Sequence, residues 1–275
     1  FHFLPAIKSV MDHDGGKKVT AASYEEAEER VRSLMEEESE TFEDSRLWTL
    51  GVFSKTINDL TRSFIMYSRV LDKSGEELGY DTDIAYQRLR KYALIVHEHK
   101  EILSCSPAVT RRLIREAQEK IDKVVNLMDK TDKHGRVVFL SSMRRIDFKK
   151  LDDKVTIFIS RYIFFMLHSL MFDEDVQKHG IVVVNDYDHF DLLAGLRQQR
   201  ARKLDETATR RRKVMMELVQ ALPIKFSSFY LVSIPWWLHA TISLLLAFQS
   251  SAVGKKIHIT DWHKVIKGRR RRIEL

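Results

Sequence analysis

Cysteine is almost absent. Cys105 stands alone in 275 residues, so no intrachain disulfide forms and packing must hold the fold. A lone thiol suits a reducing compartment, and a cytoplasmic location is expected. Catalytic signatures are missing too: no P-loop, G-x-S-x-G, C-x-x-C or H-E-x-x-H occurs. No enzyme, resident cofactor or metal is expected, although a Ser/His/Asp constellation assembles in space and stays open as an alternative. His97 and His99 of "HEHKE" are two residues apart and do not share a helix face, so they read as exposed histidines. "NDYDHFD" at 185–191 lacks the Gly and terminal Glu of a calcium loop and reads as a strand-end turn. Internal repeats and low-complexity linkers are lacking. "FHFLPAI" is too short for a signal-peptide core and has no basic leader. The chain opens on Phe1 and not on Met, and trimming from a larger protein is the expectation.

What is present is a globular composition, 44% hydrophobic and 31% charged, with net charge +7 unevenly spread. Residues 25–44 carry ten acids, residues 197–213 carry eight cations and residues 255–272 another eight. Basic surface attracts nucleic acid, anionic lipid or acidic protein. The first basic run holds no aromatic residue and the second only Trp262. With so few aromatic side chains for bases to stack on, nucleic acid is not an expected partner. The tail Arg269–Arg272 reads as a solvated end ahead of a nuclear address or a phosphoinositide tether.

Periodicity predicts a helical first half. Residues 1–22 form a leader without pattern. Ser23 and Glu26 form a capping box that opens a charged helix to about residue 38. Leu47, Leu50, Phe53, Ile57, Leu60 and Phe64 predict one helix over 46–71. After the "KSGEELGYD" turn, Ala85, Leu89, Tyr92, Ala93 and Val96 mark the next. Ser106-Pro107 starts a helix whose stripe is Leu113, Ala117, Ile121, Val124, Val125 and Met128. The pattern then changes. Residues 137–140, "IVVVNDY", "SSFYLVSIP" and "KKIHI" read as four strands, with a helix carrying Val155 to Leu170 after the first. Strands alternating with helices imply parallel β-α-β units.

From residue 231 to 248 the chain carries no formal charge. That length raises a membrane span, but Pro235 divides it, and the helix that remains is too short for ~30 Å of hydrocarbon. Leu238, Ile242, Leu245 and Leu246 share one face, yet Trp236, Trp237, Leu244 and Phe248 cover the rest. A helix apolar all round is either buried core or faces lipid on one side.

The order of these pieces resembles the CRAL-TRIO (Sec14-like) lipid-binding family. The matching elements are Gly135-Arg136 with Phe139; Gln177, Gly180 and Asp186; Pro223-Ile224-Lys225; Ile234-Pro235-Trp236; Phe248; and Lys256-Ile257-His258. "GYDTDIAYQRLRKYALIVHEH" looks like the last helix of that family's helical lobe. The likeness spans about residues 80–260. It departs in places. The family's Pro after "GR" is Val137, its Asn before the Pro motif is Ser233, and the Gly-Gly ending is missing. The basic "LLRFLRARKFD"-type segment is replaced by the longer "RSFIMYSRVLDKSGEELGYD". Ile224 stands where phosphatidylinositol-binding members carry an acid. Lys225 and Lys256 fall where tocopherol and retinal carriers place basic residues, so the chain is nearer that type.

The resemblance implies an α/β fold: a helical lobe at 23–130, then a CRAL-TRIO domain at 131–263 and a basic tail at 264–275. A mainly parallel sheet would floor an apolar pocket closed by a gate helix. The implied ligand is a phospholipid, isoprenoid or similar hydrophobic molecule, and the implied role is transfer or presentation at membranes. The expected lining is Phe139, Tyr162, Phe165, Met166, Ser169, Val183, Tyr230 and Val232. Leu238, Thr241, Ile242, Leu245, Leu246 and Phe248 would form the gate. Lys225, Lys255, Lys256, Trp236 and Trp237 would meet headgroups of an anionic membrane during transient peripheral contact. The alternative is a regulatory, lipid-sensing or protein-interaction module whose protein partner docks on the acidic and basic runs.

Overall fold

The computed structural model describes residues 21–99, 112, 125–128, 131–142, 162, 165–188, 206–235, 239 and 256–261. Helix α1 (Tyr24–Glu37) opens at the expected capping box: Glu26 N–H donates to Ser23 Oγ at 3.2 Å and Ser23 N–H to Glu26 Oε2 at 2.8 Å. It buries Ala27, Val31 and Met35, one residue per turn on one face.

The helix predicted over 46–71 is two helices and a strand. Helix α2 (Ser39–Phe53) starts earlier and ends where Ser54 turns left-handed at φ 53°. Thr56 restarts the chain as α3 (Ile57–Tyr67) through a second capping box with Asp59. Residues beyond it form a hairpin, β1 (Arg69–Leu71) against β2 (Glu77–Tyr80). A continuous apolar period hid the break, but only its second half is core: Leu60 and Phe64 are buried, whereas Leu47 and Leu50 are exposed and α2 packs through Phe42, Ser45, Trp48 and Thr49. The Thr-x-x-Asp cap was the local signal for the break. Helix α4 (Thr82–Glu98) buries the five residues expected of it.

Among the described residues five strands form the main sheet, in the order β3-β4-β5-β6-β7. They are β3 (Val125–Leu127), β4 (Val137–Ser142), β5 (Ile181–Asp186), β6 (Phe226–Val232) and β7 (Ile257–Thr260). The last four run parallel, and β3 is antiparallel to β4. Val125, placed by periodicity on a helical stripe, is thus in an edge strand. The reason is the tight turn that follows. Asp132 Oδ1 accepts the N–H groups of His134 and Arg136 at 2.9 and 3.0 Å, and Gly135 takes φ 73°. That turn folds β4 back onto residues 125–127, and cross-strand hydrogen bonds outweigh helical spacing. The four predicted strands all form, with ends that differ from the expected ones by one to three residues.

Short helix α5 (Glu174–His179) leads into β5, and α6 (Glu206–Ala221) leads into β6. The leader at 1–20, residues 113–124 of the predicted helix, most of 155–164, the gate apart from His239, and the basic tail lie outside the described residues.

Candidate functional site

Side chains alternate across a strand, so the parallel register sorts the sheet into two faces. Phe139, Val183, Phe229 and Ile257 lie side by side across β4 to β7. They join a core that also contains Tyr162, Phe165, Leu89, Tyr92 and Phe64, continuous with the helical lobe. On the opposite face Leu140, Val184, Tyr230 and His258 are in register, flanked by Val138, Val182 and Val232. Val138, Val182, Val184 and Val232 are buried there with Leu140 and Tyr230 packed against them, as a separate cluster. Both faces are apolar, which accounts for "VVFL" and "IVVV" reading as unbroken hydrophobic runs.

The first face is tied to the lobe by polar contacts. Tyr92 Oη and His168 Nε2 are 3.0 Å apart, both fully buried. Phe53 stacks on the His168 ring at 4.4 Å and Trp48 meets its edge-on at 4.7 Å. Burial in this aromatic box drives the imidazole well below its usual pKa and the Tyr92 phenol upward. Arg88, itself buried, donates to the carbonyls of Gln220 and Leu222 at the end of α6, with its guanidinium 4.2 Å above the Tyr67 ring. Arg69 reaches the Gln177 and Lys178 carbonyls in α5 at 3.4 Å each. Each cation therefore meets the negative end of a helix across the junction. Gln177 Nε2 adds a 3.1 Å bond to Ser63 of α3.

The second face ends in a polar corner. Arg136, held by Asp132 at 2.6 Å, donates to Ser228 Oγ at 3.4 Å. Tyr230 stacks on His258 at 4.9 Å. Burial, then the Arg136 charge, lower the His258 pKa.

The structure divides the expected lining residues. Phe139, Tyr162, Phe165, Met166 and Val183 come together, but in the core shared with the lobe. Tyr230 and Val232 belong to the other face, so one pocket does not gather both groups. Ser169 is exposed and donates its hydroxyl to the Met166 carbonyl at 2.8 Å. Lys225 lies at the amino end of β6 beside the lobe, 5.8 Å from the Tyr67 ring. Burial lowers its pKa, with the Arg69 charge as the next cause. Lys256 is half-buried before β7, and its carbonyl accepts Phe229 N–H at 2.8 Å. Lys255, Trp236, Trp237, Leu238, Thr241, Ile242, Leu245, Leu246 and Phe248 lie outside the described residues.

After β6 the chain turns at Ser233, φ 58°, and the Pro235 carbonyl accepts His239 N–H at 2.9 Å. Asp186 Oδ1 accepts Asp188 N–H at 3.1 Å, the strand-end turn expected there. Among the described residues no group of three His, Cys, Asp or Glu side chains converges on a metal position, and no helix is long and apolar enough to cross a membrane. Sequence reasoning missed Val138, Val182, Val184, Arg88 and Tyr67. Their signal was weak: the valines sit in runs with no polar alternation, and Arg88 looks like any surface arginine of an amphipathic helix.

Among the described residues a helical lobe packs on one face of a mostly parallel sheet and a separate apolar cluster lies on the other, an α/β architecture. Residues 108–271, more than half the chain, match the family of the CRAL/TRIO domain, and the chain belongs to that family of lipid-binding and lipid-transfer domains. Solved structures match as well. One of them, the crystal structure of Sfh5, is 12% identical, with a TM-score of 0.45, over 86% of this chain and 80% of that one. No curated protein matches.

Proposed function

We propose that the chain binds one hydrophobic molecule, a phospholipid, isoprenoid or similar compound, and transfers or presents it at membranes. The observation that carries this reading is the second sheet face. Val138, Val182, Val184 and Val232 form an apolar surface separate from the lobe core. From its strand β6 the chain leads through Pro235 into the uncharged stretch 236–248. Leu140, Tyr230 and Val232 then serve as floor, and Leu238, Thr241, Ile242, Leu245, Leu246 and Phe248 as gate. Such a site holds its ligand by apolar contact, with few polar groups for orientation.

The outer gate residues Trp236 and Trp237 would enter the bilayer surface. Lys255 and Lys256 would add about 1 kcal/mol each against anionic lipid. Lys225 serves the lobe junction in this reading. Ile224 leaves the inositol-phosphate site of the phosphatidylinositol-binding members without its acid, and Lys256 falls where tocopherol and retinal carriers place a basic residue. The protein would be cytoplasmic and peripheral to the membrane, with the lobe at 23–130 and the lipid-binding domain at 131–263.

Native mass spectrometry of the purified chain, followed by solvent extraction, tests the reading. One lipid per chain is expected, and Leu245→Asp should abolish transfer between liposomes while the fold persists. A chain that stays empty after incubation with mixed liposomes would overturn it.

A further inference from the structure

Helix α2 carries apolar residues on two opposed sides. Its core side is Phe42, Ser45, Trp48 and Thr49, all buried. Leu47 and Leu50 project from the other side and are 51% and 54% exposed. With 3.6 residues per turn, Glu40, Glu43, Leu47 and Leu50 form one outward stripe. Neither leucine contributes to the core, so the fold gives no reason for their apolarity.

The charge beside them is one-sided. Arg46 holds Glu43 at 2.6 Å, Arg90 holds Glu38 at 2.7 Å, and His97 meets Asp44 at 2.6 Å. Glu36, Glu37 and Glu40 are exposed and have no ion-pair partner among the described residues. Glu40 lies on the leucine stripe about two turns before Leu47, and Glu36 and Glu37 end α1 just before α2 begins. An acidic patch leading into a leucine pair is complementary to a helix that presents apolar residues one turn apart beside lysines or arginines. The same acids repel an anionic lipid surface, so this side of the lobe does not suit membrane contact.

We infer that the outward face of α2, centred on Leu47 and Leu50 and bordered by Glu36, Glu37 and Glu40, docks a cationic amphipathic helix of a partner protein. The assignment does not depend on the lipid reading and stands or falls separately from it. The partner would sit on the lobe, leaving the sheet and the stretch after Pro235 uncovered.

Fluorescence anisotropy with the full chain and a labelled synthetic helix of leucine and lysine, about 18 residues long, tests this. The peptide is expected to bind, and raising ionic strength to weaken it. Leu47→Ser with Leu50→Ser should weaken binding at least about tenfold. Glu36→Lys with Glu40→Lys should weaken it severalfold. Both variants alter exposed side chains and should keep the parent melting temperature. Absence of peptide binding would overturn the proposal, as would equal binding to both variants. Sedimentation of the peptide-free chain adds a third arm. A dimer abolished by the leucine changes would assign the face to a second copy, with exposed Arg210 and Lys213 of α6 as the cations, and would overturn the partner assignment. Anionic vesicles bound through the leucines would overturn it as well.

Discussion

Val183 and Val184 are neighbours on β5, yet one belongs to the core shared with the helical lobe and the other to a small aliphatic cluster on the far side of the sheet. The first face is closed by aromatic rings, the Tyr92–His168 bond and cations on helix ends. The second is valines, leucine and tyrosine with a polar corner. A face committed to packing is recognisable by the polar locks around it. The proposed ligand site is on the second face, whose polar corner is the Arg136–Asp132 pair with Ser228.

The sharpest way to break this comparison uses the next strand. Phe229→Ala on the first face should cost about 3–5 kcal/mol, because Phe229 packs in the core and stacks on Phe226 at 5.6 Å. Tyr230→Ala, one residue on, loses its stacking on His258 and should cost about 1 kcal/mol, while reducing the lipid that copurifies. Chemical denaturation reads both. Equal losses would mean that the two faces are equally core.

Arg88→Met should come next, at about 2–3 kcal/mol, since it strips the carbonyls of Gln220 and Leu222 of a charged donor inside the junction. The loss should appear as an earlier urea midpoint.

Acidification separates the faces by a smaller amount. The folded-state pKa of His168 lies well below 6.5, so the native state binds fewer protons there than the unfolded chain. Its contribution is full above about pH 6.5 and falls by up to about 1.4 kcal/mol per pH unit below that, until the folded pKa is reached. His258, on the second face and less deeply placed, should add a weaker slope of the same sign. Denaturation curves at several pH values between 7.5 and 5 measure the slope. His168→Asn should flatten most of it if the first face carries the effect. The smallest change is remote from both faces: Ser23→Ala should remove the α1 cap and cost about 1 kcal/mol in thermal denaturation.

Local patterns carried much of the fold. The Ser23–Glu26 box, the stripe of α4 and the four runs that became β4 to β7 were all readable, because caps, turns and periodicity act over a few residues. The break at Ser54 was not, because apolar residues continue at helical spacing on both sides of it. Val125 was misread because a three-residue strand has too few residues to show a period of two. The candidate site was legible only as a set of apolar residues. Its members were drawn from both faces, since Phe139, Val183, Tyr230 and Val232 are all apolar or aromatic and no polar neighbour marks an outside.

The amino-acid sequence by itself determined that strands of this chain would be covered on both sides and that an uncharged segment would follow Pro235, because hydrophobicity is a property of each residue wherever it lies. It also determined the family, through short motifs in order. Which face of the sheet meets the lobe was decided only in three dimensions. A one-residue change of register exchanges Val183 for Val184, and both satisfy the same apolar pattern. The choice rests on contacts distant in sequence: Arg88 on the end of α6, Arg69 on α5, and Tyr92 against His168.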